Sequence, residues 1–332
     1  MAKRLFRSSI FSMFTLLLCA CVQQPDEPMR IASNDWLGYK PLYLAEKLEL
    51  FKSSDIHLTE LSSNSEVIRL FQNGLIDGAA LTLDEALLLK QDEPDVVIVL
   101  VMDISNGGDA IIAHDEIADM QALRGKRVGL EKTALGAYML TRALTLSNLD
   151  TNDISNISYE YSEHEEAFVN RKVDAIVTFE PTTSHLLKKG GHIIFDSRQI
   201  ANEIIDVFVV RRTYMEKHLD KISQLIYTWF DAINILETDR NRSIEALANI
   251  SNLSIEQLIT SLRGIHYPDY PENLRLFEQG KDTLHENATR LYKIMIESEL
   301  LCREVNIDDL FYDRPLLELP NKDLLSSSNI SE

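Results

Sequence analysis

Positive charge is scarce in this chain. Lysine and arginine number 33 against 52 aspartates and glutamates, a formal net charge of −19. A nucleic-acid partner requires a basic face, so this balance excludes one. Cysteine is rarer still, with three in 332 residues, and two of them, Cys19 and Cys21, sit near the N-terminus. The usual signatures of catalysis are missing. There is no G-x-S-x-G, no C-x-x-C, no H-E-x-x-H, and no G-x-G-x-x-G following a strand. The turn at Gly125-Lys126-Arg127 lacks the rest of a phosphate-binding loop. The eight histidines are scattered. The densest group, His164-Glu165-Glu166, reads as a solvated helix start rather than a metal site. No metal, no cofactor and no catalytic residue is expected. No internal repeat and no low-complexity tract appears.

What is present is the composition of a globular protein, 45% apolar and 26% charged. The length suits two domains on a prior of ~150 residues each. The first twenty residues read as a targeting segment. Lys3, Arg4 and Arg7 form a positive start, and Ile10 to Leu18 an apolar run too short to span a bilayer. Leu18-Cys19-Ala20-Cys21 resembles a bacterial lipobox, with cleavage before Cys21 and lipid on its thiol. That resemblance implies several acyl chains and durable anchoring. Cys302 is then the one thiol left, and no internal disulfide is possible. Val22 follows, not the aspartate associated with inner-membrane retention, which favours the outer membrane. Residues 21–28 read as a tether.

Strands and helices alternate from Met29 onward. The expected strands are Met29 to Ala32, Ile56 to Leu61, Ala79 to Thr82, Val96 to Met102, Ala110 to Ala113, Val128 to Leu130, Ile157 to Tyr161, Val173 to Phe179, Ile193 to Phe195 and Asp206 to Val210. Helical spacing fills the gaps: Leu42 to Phe51, a helix capped by Asn64-Ser65, one capped by Asp84, one from Thr133, and a short one from Glu163. Such alternation implies βαβ units and an α/β fold. The continuous apolar run at Val96 reads as a buried parallel strand. Turn formers at Asp103 to Asp109 mark a first crossing between lobes, and Asp206 to Val210 the return. The expected division is 29–110 with 206–320 as one lobe and 111–205 as the other. Long helices follow, the last from Leu274 to Leu301, and a polar tail covers 321–332.

Polar and aromatic residues gather where strands end. Asn34, Asp35, Trp36 and Tyr39 follow the first strand, with Gly38 allowing close approach. Thr82 and Asp103 end later strands of the first lobe. Glu131, Thr133, Leu135, Gly136, Phe179 and Glu180 end strands of the second. Ligands in α/β folds bind at those edges. Each residue also has a local alternative: Trp36 in the core, Thr82 as a cap, Asp103 in the hinge turn, Thr133 to Ala137 as a plain helix start. Glu180, held before Pro181, is the sharpest candidate for meeting an amine or amino-pyrimidine donor.

Four stretches occur in an order that resembles a known family. They are Asp35-Trp36-Leu37-Gly38-Tyr39 with Pro41-Leu42, Gly74-Leu75-Ile76-Asp77-Gly78-Ala79, Leu123-Arg124-Gly125-Lys126-Arg127-Val128-Gly129, and Val173-Asp174-Ala175-Ile176 with Glu180-Pro181. Together they look like the nitrate/sulfonate/taurine-type substrate-binding proteins of ABC transporters, whose fold the thiamine-pyrimidine-precursor binders share. The resemblance implies a two-lobed, type II periplasmic-binding-protein-like fold with two crossovers and a helical C-terminal part. It implies ligand capture by hinge closure at the strand-end residues named above, and delivery to an ABC permease. No basic residue stands at a cleft position, while Asp35, Asp103, Glu131 and Glu180 are acidic. The expected ligand therefore carries an amino group or cationic ring, with sulfonate or nitrate disfavoured. The expected place is the periplasmic side of a bacterial membrane, anchored at Cys21. The alternatives are a sensing subunit for a membrane kinase or diguanylate cyclase and, remotely, an enzyme of the pyrimidine-synthase type, whose cysteine-rich signature is missing.

Overall fold

Short apolar strands and amphipathic helices assemble into two mixed sheets. The computed structural model describes residues 27–51, 56–131, 134–278 and 283–320. The leader with Cys21, most of the tether, Thr133 and the tail 321–332 lie outside the described residues. The strands of the first half are β1 (Met29–Ser33), β2 (Ile56–Glu60), β3 (Gly78–Thr82), β4 (Val96–Ser105), β5 (Asp109–His114) and β6 (Arg127–Leu130). Those that follow are β7 (Ser155–Ser158), β8 (Ala175–Phe179), β9 (Gly191–Asp196), β10 (Ile205–Arg211) and β11 (Ile265–His266). One sheet runs β11-β4-β10-β3-β1-β2 and the other β7-β6-β8-β5-β9.

β4 is buried along all ten residues. Val96, Ile98 and Val101 face one core, with Leu87 of the helix Leu83–Asp92 and Met295 of the helix Leu284–Glu297. Val97, Val99 and Met102 face the other, with Leu225 and Trp229 of the helix Leu219–Thr238. Burial on both faces makes the run continuously apolar. It does not make the strand parallel: β4 is antiparallel to β10 and to β11. The expectation of a parallel strand is corrected here, because two-sided burial and strand direction are separate properties.

The chain passes between the sheets twice, after β4 and after β9. At the first crossing Ser105 Oγ lies 2.9 Å from Ser197 Oγ, and the Gly107 N–H donates to Ser197 Oγ at 2.6 Å. A third segment joins them: the amides of Asn106 and Gly108 donate to the Gly264 carbonyl, at 2.8 and 3.1 Å. Two antiparallel return strands, β10 in the first sheet and β5 in the second, distinguish this two-lobed fold from a plain parallel α/β sheet.

Several local expectations shift. The helix Asn64–Gln72 is capped by Ser63, whose hydroxyl accepts from Glu66 N, not by Asn64. Thr82 and Glu85, not Asp84, form the cap of the next helix. The strand expected at Ile157 to Tyr161 lies earlier, and Tyr161 stacks on Phe179 with ring centroids 4.0 Å apart. The single helix expected from Leu274 to Leu301 is two, Tyr270–Phe277 and Leu284–Glu297, started by the side chains of Asp269 and Thr283.

Asn273 is fully buried, accepting from Val101 N at 2.9 Å and donating to Val101 O at 3.1 Å. Asn273→Ala strands both buried groups. We expect a loss of about 1–3 kcal/mol, read as a lower urea midpoint with the slope unchanged; an unchanged midpoint contradicts this account of β4.

Candidate functional site

The ends of both sheets meet at one seam. β1, β3, β6 and β8 finish there, and the antiparallel strands β5 and β10 begin there. Between them lies a cavity in two small chambers of about 20 and 10 Å³. Each has room for roughly one water. Asn64, Asp109, Leu135 and Phe179 line both chambers. The larger adds Glu85, Glu131, Gly136, His164, Val177 and Thr178; the smaller adds Asn34, Trp36, Tyr39, Thr82 and Asp206. Among the described residues, no lysine or arginine lines the cavity. Two larger concavities lie elsewhere, one of about 530 Å³ between the helices Leu219–Thr238, Ile255–Leu262 and Tyr270–Phe277, and one of about 750 Å³ bordered by Phe277, Leu284, His285 and Phe311. Neither holds any of the strand-end residues, so the seam is the candidate site.

Asn34, Trp36, Tyr39, Thr82, Glu131, Leu135, Gly136 and Phe179 are therefore brought together as the strand-end argument anticipates. Trp36 is 4% exposed. Its indole N–H donates to both oxygens of Asp103, at 3.1 and 3.2 Å, and its ring meets Phe179 edge-on at 5.7 Å. A Cβ on Gly38 would stand 2.1 Å from Asp103 Oδ2 and 2.2 Å from Trp36 Nε1. Gly38 thus makes room for the indole–carboxyl pair, not for a ligand. Asp103 lies behind Trp36 and does not line the cavity.

Two acidic candidates point elsewhere. Asp35 pairs with the buried Lys40 at 2.5 Å, and Lys40 also bonds Glu60. The one lysine of this loop is thereby spent within it. Glu180 is buried rather than solvent-facing, accepting from Ser184 N at 3.1 Å and Ser184 Oγ at 2.9 Å. It does not reach either chamber. His164 departs from the solvated helix start expected of it. It is 1% exposed, lines the cavity and bonds Thr178 Oγ1 at 3.1 Å. Burial pushes its pKa down to about 4, so the ring is neutral.

Asp109, weighed from sequence with Asp103 as either a binding or a hinge-turn residue, lines both chambers, and Asn64, Glu85 and Asp206 join it without having a sequence signal for the site. Glu85 Oε2 accepts from Asn64 Nδ2 at 2.7 Å and from Thr82 N at 3.1 Å, while Glu85 Oε1 and Asn64 Oδ1 have no hydrogen-bond partner. Burial raises the pKa of each acid here: Asp84 to about 6, Asp109 to about 7, Asp103 to about 8, and Glu85 and Asp206 well above the ordinary range. Removing a carboxylate from water without a cation disfavours its charged form. The two halves also bond directly, Ser65 N and Oγ donating to Glu131 Oε1 at 3.2 and 2.8 Å.

Two lobes, two crossings and a polar cavity between strand ends define a periplasmic-binding-protein-like fold, and the solved structures agree. The alkanesulfonate-binding protein of Xanthomonas axonopodis pv. citri, solved bound to MOPS, superposes with a TM-score of 0.74 at 20% identity, covering 87% of this chain and 99% of that one. The chain belongs to the NMT1-like family, matched over residues 22–251. Among curated relatives, an Escherichia coli K12 protein provisionally named as aliphatic sulfonates-binding is 22% identical over 270 residues, covering 81% of this chain and 82% of its own. The taurine-binding periplasmic protein of the same organism is 22% identical over 199 residues, 59% of this chain and 62% of that one. These relatives are binding proteins rather than enzymes.

The raised acids set the pH dependence of stability. Each binds more protons folded than unfolded, so its stabilising share is complete below the unfolded value and is lost as pH rises through the folded one. The ligand-free protein is expected to melt progressively lower as pH rises from about 5 to about 8. Calorimetry across that range checks it; a melting temperature that climbs would show these carboxyls already ionised.

Proposed function

We propose that this chain is an extracytoplasmic solute receptor that closes on a small organic cation, an amine or amino-pyrimidine, and delivers it to an ABC permease. The observation that supports this most is the lining of the cavity. Glu85, Asp109, Glu131 and Asp206 enter it, and among the described residues no lysine or arginine does. An anion such as a sulfonate would be placed among carboxyls with nothing to balance it. A cation would find the Asn64 Oδ1 acceptor already unpartnered, with the Glu85 carboxyl beside it able to accept once its proton leaves. Trp36, Tyr39 and Phe179 supply flat apolar walls, the usual complement of a few fixed polar groups. The ligand class thus differs from that named for the sulfonate-binding and taurine-binding relatives.

The small chamber volumes support entry by parting of the lobes at the crossings, followed by closure. The membrane attachment rests on the lipobox-like segment at Cys21, on the periplasmic side of a bacterial membrane.

A thermal-shift screen with amines, aminopyrimidines, taurine, alkanesulfonates and nitrate tests the ligand class. Amines or aminopyrimidines are expected to raise the melting temperature. A rise with taurine and none with any amine overturns the reading. For the amine that binds, Asp109→Asn should weaken affinity by about ten- to a hundredfold, the worth of one charged hydrogen bond; isothermal titration measures it. Cys21→Ser should move the protein from the membrane to the soluble fraction of cell lysates, and continued sedimentation with membranes would remove the anchor.

A further inference from the structure

We propose that capture of the cation is an exchange: the solute's positive charge replaces one of the protons held by Asp103 and Asp206, with Asp206 facing the solute and Asp103 a positioning residue that seats Trp36. This rests on the reading of the cleft as a receptor site for a cation.

The two residues are direct cross-strand partners on β4 and β10, at the end of the pair nearest the crossings. Asp103 is 0% exposed and Asp206 2%. Their carboxyls hydrogen-bond one another. An ionised carboxylate only accepts, so such a bond requires a proton on one of them. The other bonds to the pair come from neutral donors, the Trp36 indole to Asp103 and the Tyr39 hydroxyl to Asp206.

The groups around the pair leave its charge unbalanced. Tyr39 stands over it from the first loop, Asp109 from the start of β5, and Tyr267 from the segment after β11. Asp84 and Glu85 lie beyond them on the helix Leu83–Asp92. Arg198, near the crossing, is bound to Asp196. Among the described residues, no lysine, arginine or histidine is one of the main charges acting on Asp103 or Asp206. Burial pushes both carboxyls up, Asp103 to about 8, so both stay protonated at neutral pH and the first proton leaves near pH 8.

Asp206 lines the chamber that Trp36 and Tyr39 wall, and Asp103 does not. The unpartnered Asn64 Oδ1 opens on the same cavity as an acceptor without a donor, beside the fully buried and unpartnered Glu85 Oε1. A cation settling there meets Asp206 first and stabilises its ionised form. One proton of the pair then passes to solvent, and the other stays between the two carboxyls. One positive charge enters and one leaves, so the net charge of the buried site is unchanged, and no covalent bond to the solute forms or breaks.

The test needs no identified ligand. The chain carries two tryptophans. Of the two indole N–H groups, Trp36's bonds a carboxyl and Trp229's is unpartnered, so Trp229 is an internal control. The indole N–H resonances, assigned with Trp229→Phe, are followed by NMR against pH. The Trp36 resonance is expected to titrate near pH 8, with Trp229 flat. Asp206→Ala should move that inflection to higher pH, because the Asp206 carboxyl is still protonated when Asp103 ionises and its hydrogen bond lowers the Asp103 pKa. In the wild-type chain, methylammonium chloride should move it to lower pH than the same concentration of sodium chloride does. A flat Trp36 resonance, an inflection that Asp206→Ala leaves in place, or equal curves in the two salts each overturn the exchange. If an amine raises the melting temperature in the screen while the Trp36 resonance stays flat, the exchange fails and the receptor reading stands.

Discussion

β10 runs antiparallel between β3 and β4, and the arrangement of the site follows from that pairing. A strand returning from the second lobe could have joined the first sheet in either direction. Joining antiparallel puts its first residues, Ile205 and Asp206, beside the last residues of β3 and β4. β5 does the same in the second sheet, bringing Asp109 level with Phe179. Polar groups from starting strands and finishing strands are thereby collected on one seam. The hydroxyl contacts of Ser105 with Ser197 and the shared Gly264 carbonyl hold the crossing segments together without a bulky side chain between them.

Close packing at this seam ties the loop after β1 to the crossings. A Cβ on Gly108 would stand 2.4 Å from the Trp36 ring, and one on Gly38 would meet both Trp36 and Asp103. Tyr267, beyond β11, donates to the Leu37 carbonyl at 3.0 Å. The aromatic wall, the carboxyl beneath it and the pivot therefore form one packed unit. Close-packed contacts have discrete arrangements more readily than a continuum, so the parting of the lobes proposed above would have to displace Trp36 as well.

Much of this was legible in the chain. Apolar runs of three to seven residues ending in polar or aromatic side chains announced β1, β3, β6 and β8, and with them Asn34, Trp36, Thr82 and Phe179. The direction of β4 was not legible, because Val96 to Met102 would look the same in either orientation. Asn64 and Glu85 read locally as helix-start residues, and Glu85 does bond Thr82 N; that its other oxygen opens on a cavity depends on the second lobe closing over it. Asp206 begins an apolar strand, and only the register that sets it opposite Asp103 shows its place. His164 lies beside two exposed glutamates, which masked its burial. Glu180 had every local mark of a site residue, yet the next helix turns Ser184 back onto it.

The bonds from Ser65 to Glu131, and the approach of Ser184 Oγ to Ser261 Oγ at 3.3 Å, join the two lobes across the seam. Each is made by a serine hydroxyl, which water can satisfy as well once the surfaces part. Such contacts fix the register in which the halves meet and add little to the strength with which they hold.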